Sequence, residues 1–218
     1  MLDTKTPTAS LFRLGRKPDP WSPPDWSRAL PDGTFGNRFD DPQGNYRVLY
    51  ASTQRVACFV ETLARFRPDL FLTAELQAIS GEDDYVPLGT VPSDWCTPRM
   101  MGEAIVSGTY ADIYSASWVS YLRRSLASEL VALGLNDLDD AVLQQAQPRR
   151  VTQLASRKVD EAGLNGVRYR SRYGHDLENW AIFEPFRVHA FDTAVAVQLD
   201  DPDLLQACKL LDLRIEEV

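Results

Sequence analysis

The stretch "GNRFDDPQGNYRVLYAS", residues 36–52, decides how this chain is read. Gly36 opens a turn and Arg38 follows it. Asp40, Asp41, Pro42 and Gly44 then make a second turn. From Tyr46 to Ala51 the residues alternate, with Tyr46, Val48 and Tyr50 on one face and Arg47 and Leu49 on the other, which predicts a strand. Ser52 or Thr53 can cap a helix running to about Phe66, where Pro68 stops it. At ~100° per residue its apolar stripe is Val56, Phe59, Val60 and Leu63. Glu61 falls at the edge of that stripe, beside Ala57 and Ala64. An arginine in a turn and a glutamate at a helix rim are thus joined by one short strand.

Composition limits what those two residues can do. The chain has 218 residues, 44% of them hydrophobic and 25% charged, which is ordinary for a globular domain. At that length folding buries roughly 70% of the extended-chain surface. The net charge of -8 repels phosphate backbones and disfavours direct nucleic-acid binding. No apolar run approaches the ~20 residues of a membrane span. The start, "MLDTKTPTAS", lacks a basic end followed by an apolar core, so no secretion signal is expected. Cys58, Cys96 and Cys208 are odd in number and widely spaced, which argues against a disulfide framework or a zinc cluster and for a reducing cytoplasm.

Outward from the central stretch, residues 1–10 read as a flexible tail and 11–218 as a single domain. "LFRLG", Leu11–Gly15, reads as a short strand. "RKPDPWSPPDW" has four prolines in eleven residues, so it is an extended loop that Trp21 and Trp26 pin to the body. "DLFLTAELQAI", 69–79, reads as another strand, and "GEDDY", 81–85, as an exposed turn. One helix is expected from Ala116 to Leu133, with Trp118, Val119, Leu122, Leu126, Leu130 and Leu133 inward and Gly134 at its end. Another is expected from Arg150 to Ala162. After the Asn165–Gly166 turn comes a strand with Val167, Tyr169 and Ser171 on one face. "RYGHDLEN" reads as a loop, "WAIFEP" and "FRVHAF" as short strands, and 201–211 as a final helix. Helices and strands interleave without a regular βα repeat, which predicts a mixed α+β domain with helices flanking a mixed sheet.

Familiar catalytic signatures are absent: no phosphate loop, no dinucleotide fingerprint and no G-x-S-x-G elbow. His175 and His189 are the only histidines, so neither H-E-x-x-H nor a three-histidine site can form, and no metal is expected. Asp40–Asp41 could bind a metal but fit a loop initiator better. What remains is Arg38, Tyr50, Glu61 and Ser171. Each has a plainer role open to it, as an Arg38–Asp40 or Asp41 pair, a core ring, a solvated helix residue or strand polarity.

The two blocks "GNRFDDPQGNYRVLYAS…ACFVETLARF" and "LNGVRYRSRYGHDLENWAIFEP" resemble the RES domain family, named for an arginine, a glutamate and a serine. That family's pattern opens with G-x-R-[FW]-[DN] and L-Y-[LT]-[AS], continues into a helix with the glutamate, and closes with a D/N-G-[IV]-x-Y-x-S strand and A-[LI]-F. Arg38, Tyr50, Glu61 and Ser171 occupy the matching positions, and "LFR", Leu11–Arg13, is similar to the opening strand. The resemblance implies a fold related to ADP-ribosyltransferase toxins, with NAD+ as substrate and no separate cofactor. It also implies a toxin whose partner is an Xre-type helix-turn-helix antitoxin, with homo-oligomers open.

In such an enzyme Arg38 would grip the diphosphate, where a guanidinium makes paired charge-assisted hydrogen bonds, and Gly36 and Gly44 would let the backbone approach. Glu61 would stabilise the oxocarbenium-like ribose as the nicotinamide bond breaks. Tyr50 would stack on nicotinamide, and Ser171 would hold the ribose or the glutamate. Arg38→Ala and Glu61→Ala would then each abolish nicotinamide release and leave the fold intact. Water, phosphate or a protein could each accept the ADP-ribose. A non-catalytic NAD-binding module, or a glycosidase pairing Glu61 with Glu184 or Asp176, remain alternatives.

Overall fold

The computed structural model describes residues 1–79 and 89–216 as a mixed α+β domain. Strands β1 (Thr4–Lys5), β2 (Leu11–Arg16), β3 (Val48–Ser52), β5 (Arg99–Val106), β6 (Tyr110–Asp112), β7 (Gly166–Ser171), β8 (Gly174–Phe183), β9 (Val188–Ala190) and β10 (Val195–Ala196) make one sheet. Its order is β1-β6-β7-β8-β3-β2-β5-β10, with β9 also on β5. Only β6 and β7 run parallel. A two-stranded parallel ribbon joins β4 (Gly89–Val91) to β11 (Leu213–Ile215). The helices are α1 (Arg55–Leu63), α2 (Leu70–Ile79), α3 (Ala116–Ser125), α4 (Ala127–Ala132), α5 (Asp140–Gln145), α6 (Arg150–Glu161) and α7 (Pro202–Leu210).

Period-two alternation tells which helices share a face. Val48, Val167, Ala181 and Phe183 point into a core with Trp118, Leu122, Leu126 and Leu130 of α3–α4 and Val151, Ala155 and Val159 of α6. Leu177 and Met101, with Phe12 and Leu14, pack on the same side against Ala57, Phe59, Val60 and Leu63 of α1 and Leu204, Ala207 and Cys208 of α7. Full burial of a side chain such as Phe59 or Leu63 contributes about 1.5–3 kcal/mol. The opposite face carries Leu11, Leu49, Ala51, Trp180 and Ile182, covered by Trp21 of the proline-rich loop. Two groups of helices therefore stand on one face of the sheet, and the space between them is a cleft.

Several elements differ from the sequence reading. Residues 1–10 are anchored: Thr4–Lys5 pairs with β6, and Trp118 Nε1 donates to the Asp3 carbonyl at 2.7 Å. The run 69–79 forms helix α2, because Asp69 caps it by accepting from the amides of Phe71 and Leu72. Leu70, Phe71 and Leu72 are exposed, and a short apolar run does not by itself tell helix from strand. The helix from Ala116 breaks at Leu126 into α3 and α4, yet its inward stripe stays in phase. "RYGHDLEN" is a tight hairpin, since β8 starts at Gly174. Neither Ser52 nor Thr53 caps α1; Gln54 holds that position, and the Ser52 hydroxyl is engaged elsewhere. Strand β5, inside the sheet, and helix α5 were not anticipated. The turn expected at 81–85 lies outside the described residues.

Candidate active site

The cleft has a volume of about 740 Å³ and brings together residues far apart in sequence. That size lies inside the ~300–1,000 Å³ range of small-molecule sites. One wall is α1, contributing Cys58, Glu61 and Thr62 and, just beyond it, Ala64 and Arg65. The floor is Tyr50, Ala51 and Ser52 of β3 with Tyr169 of β7 and Asn179 of β8. The other wall runs from Asn37 and Arg38 to Gln144–Gln147 and Arg149, at the α5–α6 junction. Arg172 and Tyr173, at the tip of the β7–β8 hairpin, complete the rim.

Arg13, Arg38, Arg65, Arg149 and Arg172 all line this cleft, and among the described residues Glu61 is the one carboxylate that does. None of these five arginines forms an ion pair with a carboxylate within the described residues. In a chain of net charge -8, this concentrates unneutralised positive charge in one concavity.

Arg38 is held as part of the wall. Its Nη2 lies 2.7 Å from the Tyr114 hydroxyl, 2.5 Å from the Leu143 carbonyl and 2.8 Å from that of Gln144. The guanidinium sits 5.3 Å from the ring centres of both Phe39 and Tyr169. Its Nε is buried without an acceptor. Arg38 pairs with neither neighbouring aspartate. Asp40 accepts from the amides of Phe35 and Asn37 and from the Tyr50 hydroxyl, and Asp41 from the amides of Gln43 and Asn45. Both acids therefore fold the loop, and burial pushes the Asp40 carboxyl above the usual range. Gly36 and Gly44 serve the same loop with positive φ of 73° and 68°. A Cβ on Gly44 would meet the Gly33 carbonyl at 3.0 Å, so its close approach is to the loop itself and not to the cleft.

Tyr50 presents its ring to the cleft while its hydroxyl is spent within the loop, donating to Asp40 Oδ1 at 3.2 Å and accepting from the Phe39 amide at 2.9 Å. Burial pushes that phenol well above its ordinary range, so Tyr50 stays neutral and acts as a surface. Glu61 is half-buried, and its Oε1 accepts from Asn179 Nδ2 at 3.0 Å. Ser171 is fully buried and does not line the cleft. Its hydroxyl accepts from the Tyr173 amide at 3.1 Å, which shapes the hairpin turn presenting Arg172 and Tyr173. It touches neither Glu61 nor the open space. Arg38, Tyr50 and Glu61 are thus brought together, with Ser171 beneath them.

Most of the cleft's lining escaped the sequence reading of the site, Arg13, Asn179 and Ser52 among it. Arg13 reaches through the sheet where β2 and β3 separate; those strands pair only at Phe12–Ser52, and Arg13 Nη1 takes the Tyr50 carbonyl at 3.1 Å in place of a ladder bond. Burial lowers its pKa to about 10, which still leaves it charged at neutral pH. An arginine flanked by Phe12 and Leu14 in the middle of a strand was the available signal. Asn179 and Ser52 form the buried polar pair beside Glu61. In "LENWAIF" the inward file is Leu177, Asn179, Ala181 and Phe183, and one amide in an apolar file was the mark to notice.

The glycosidase alternative fails on geometry. Glu184 is held by Arg47 at 2.5 Å, Asp176 is exposed, and neither lines the cleft. Among the described residues no cluster of three or more His, Cys, Asp or Glu could hold a metal ion, and no helix is long and apolar enough to cross a membrane.

The RES domain profile matches residues 10–204. No curated protein is significantly similar in sequence. A solved structure, of the M. tuberculosis MbcT–MbcA toxin–antitoxin complex, contains a chain of similar fold with a TM-score of 0.51 and 14% identity. The match covers 97% of this chain and 91% of that one.

Proposed function

This chain belongs to the RES domain family, and on that premise we propose that it cleaves the nicotinamide–ribose bond of NAD+ and is the toxin of a toxin–antitoxin pair. The observation that carries the reading is the make-up of the cleft: five arginines without carboxylate partners, one glutamate and three tyrosines line it. A dinucleotide offers what those groups recognise, a diphosphate for guanidinium and a flat cationic ring for aromatic faces. Arg38 and Arg13, which line the cleft, take the diphosphate with the terminal guanidinium hydrogens that their protein contacts leave free. Tyr50 and Tyr169 flank the nicotinamide end. Glu61 accepts from a ribose hydroxyl and faces the positive charge that grows on the ribose as the C–N bond breaks. The electron pair leaves with nicotinamide, which is neutral once released. Water adds to the anomeric carbon, so NAD+ and water give nicotinamide, ADP-ribose and a proton; inorganic phosphate in place of water gives the corresponding ADP-ribose phosphate ester. Ser171 acts at one remove, through the hairpin that carries Arg172 and Tyr173.

The likeness to a chain from a toxin–antitoxin complex supports an antitoxin partner; we take that partner to be an Xre-type helix-turn-helix protein in the cytoplasm, as the family resemblance implies. The test is nicotinamide release from NAD+, with and without phosphate, by the wild type and by Glu61→Gln. The expected result is release that falls at least 100-fold in Glu61→Gln, where the shape is kept and the charge is lost. Equal release by both proteins would overturn the proposal.

A further inference from the structure

Asn179 is an expensive residue to bury. It is 1% exposed, and an unbonded amide in such a place costs about 1–3 kcal/mol. Its two side-chain partners lie on two other elements: Ser52 Oγ on β3, 2.5 Å from Oδ1, and Glu61 Oε1 on α1, 3.0 Å from Nδ2. Chemistry sets the direction of this chain. An ionised carboxylate only accepts, so the amide must turn its NH2 toward Glu61. The amide oxygen then faces Ser52, and the serine hydroxyl has to donate. Register sets the position: Asn179 is directly opposite Ser52 across β3–β8 and opposite Tyr169 across β7–β8. The amide is therefore held between two paired strands at the centre of the sheet, whereas Glu61 reaches into an open cleft on a longer, rotatable side chain.

We infer that Asn179, locked by Ser52, is a positioning residue for Glu61: it occupies Oε1 and leaves Oε2 as the carboxylate oxygen presented to the cleft. Oε2 has no hydrogen-bond partner among the described residues. A carboxylate aimed before the substrate arrives needs no reorganisation as charge develops on the ribose. The amide bears on the transition state more than on ground-state binding, because its side-chain bonds go to Ser52 and Glu61 and not to the arginines that would hold the diphosphate. This assignment rests on the role of Glu61 proposed above, so its test has an arm that does not need turnover.

The kinetic arm compares Asn179→Ala, Ser52→Ala and Ser52→Thr. Asn179→Ala is expected to lower kcat by about 10–100-fold with KM within about twofold, the size of loss seen when a group that orients an active-site residue is removed. Ser52→Ala lowers kcat by about 3–10-fold and Ser52→Thr, which keeps the hydroxyl, restores it. The spectroscopic arm follows the side-chain NH2 of Asn179 in a ¹⁵N-labelled protein. The two protons are expected to be well separated and slow to exchange in the wild type, and to converge in Glu61→Ala. A folded Asn179→Ala with unchanged kcat, or amide signals indifferent to Glu61→Ala, would overturn the inference. If Asn179→Ala does not fold, the Ser52 pair decides. A wild type that releases no nicotinamide would sink the proposed function alone, and the amide signals would then judge the Asn179–Glu61 bridge.

Discussion

Replacing Arg38 by alanine removes the proposed diphosphate ligand and also unpins helix α5. The three contacts of Nη2, at 2.7, 2.5 and 2.8 Å, share two hydrogens and amount to about two full bonds. At about 1.5 kcal/mol for each bond from a charged donor, they contribute about 3 kcal/mol. Stacking between Phe39 and Tyr169 adds about 0.5–1 kcal/mol. The Leu143 and Gln144 carbonyls, at the C-terminal end of α5, would have to find water instead. A loss of ~3–4 kcal/mol in a chain of this length lowers Tm by about 6–15 °C. Arg38→Ala is thus expected to lose nicotinamide release and to melt early, which departs from the sequence reading that its fold stays intact. Arg38→Lys keeps the charge but cannot fork, so it recovers part of the stability and little of the activity. Thermal unfolding by circular dichroism, beside nicotinamide release at a temperature where both variants are folded, measures the two effects separately. A Tm within about 2 °C of wild type for Arg38→Ala would refute the view of Arg38 as a wall-bearing residue.

If the cleft takes NAD+ as proposed, Arg65→Gln and Arg172→Gln are each expected to raise its KM by about 3–10-fold with kcat little changed, since both are exposed charges lining the cleft; steady-state kinetics at low and high salt would show the difference shrinking as salt rises. Arg47 holds the Glu184 carboxyl below its ordinary range through a hydrogen bond. A depressed folded pKa stabilises above the unfolded value of about 4.3 and is lost as pH falls through the folded one. Discounted for partial exposure this is about 0.5–1 kcal/mol. The urea midpoint of the wild type should therefore exceed that of Glu184→Gln at pH 6 and the gap should narrow toward pH 3; a constant gap would remove Arg47–Glu184 as the cause.

The elements around the glutamate were legible in the sequence because their signals are local. Alternation in Tyr46–Ala51 marks β3 whatever it pairs with, the 3.6-residue stripe of Val56, Phe59, Val60 and Leu63 marks α1, and Gly163 ends α6 at a φ of 75° that suits glycine. The resemblance to the RES domain family put Arg38, Tyr50, Glu61 and Ser171 in one site; in the fold the first three line one cleft and Ser171 does not. Reading failed where pattern is ambiguous: "DLFLTAELQAI" is apolar at helix and strand spacing alike, and only the Asp69 cap tells which it is.

What the sequence determined by itself was therefore the set of elements near Glu61, because alternation and helical period act over a few residues. Partnership was decided only by the tertiary structure. Arg13 became a cleft residue because β2 and β3 part after one pair. Ser171 was turned under the hairpin by the pairing of β7 with β8, and Asn179 was set beneath Glu61 by register with Ser52. Those contacts span more than a hundred residues of chain in the case of Asn179 and Glu61, and no local preference encodes them. They follow from which strands pair, and the pairing is chosen by burying both faces of the sheet at once.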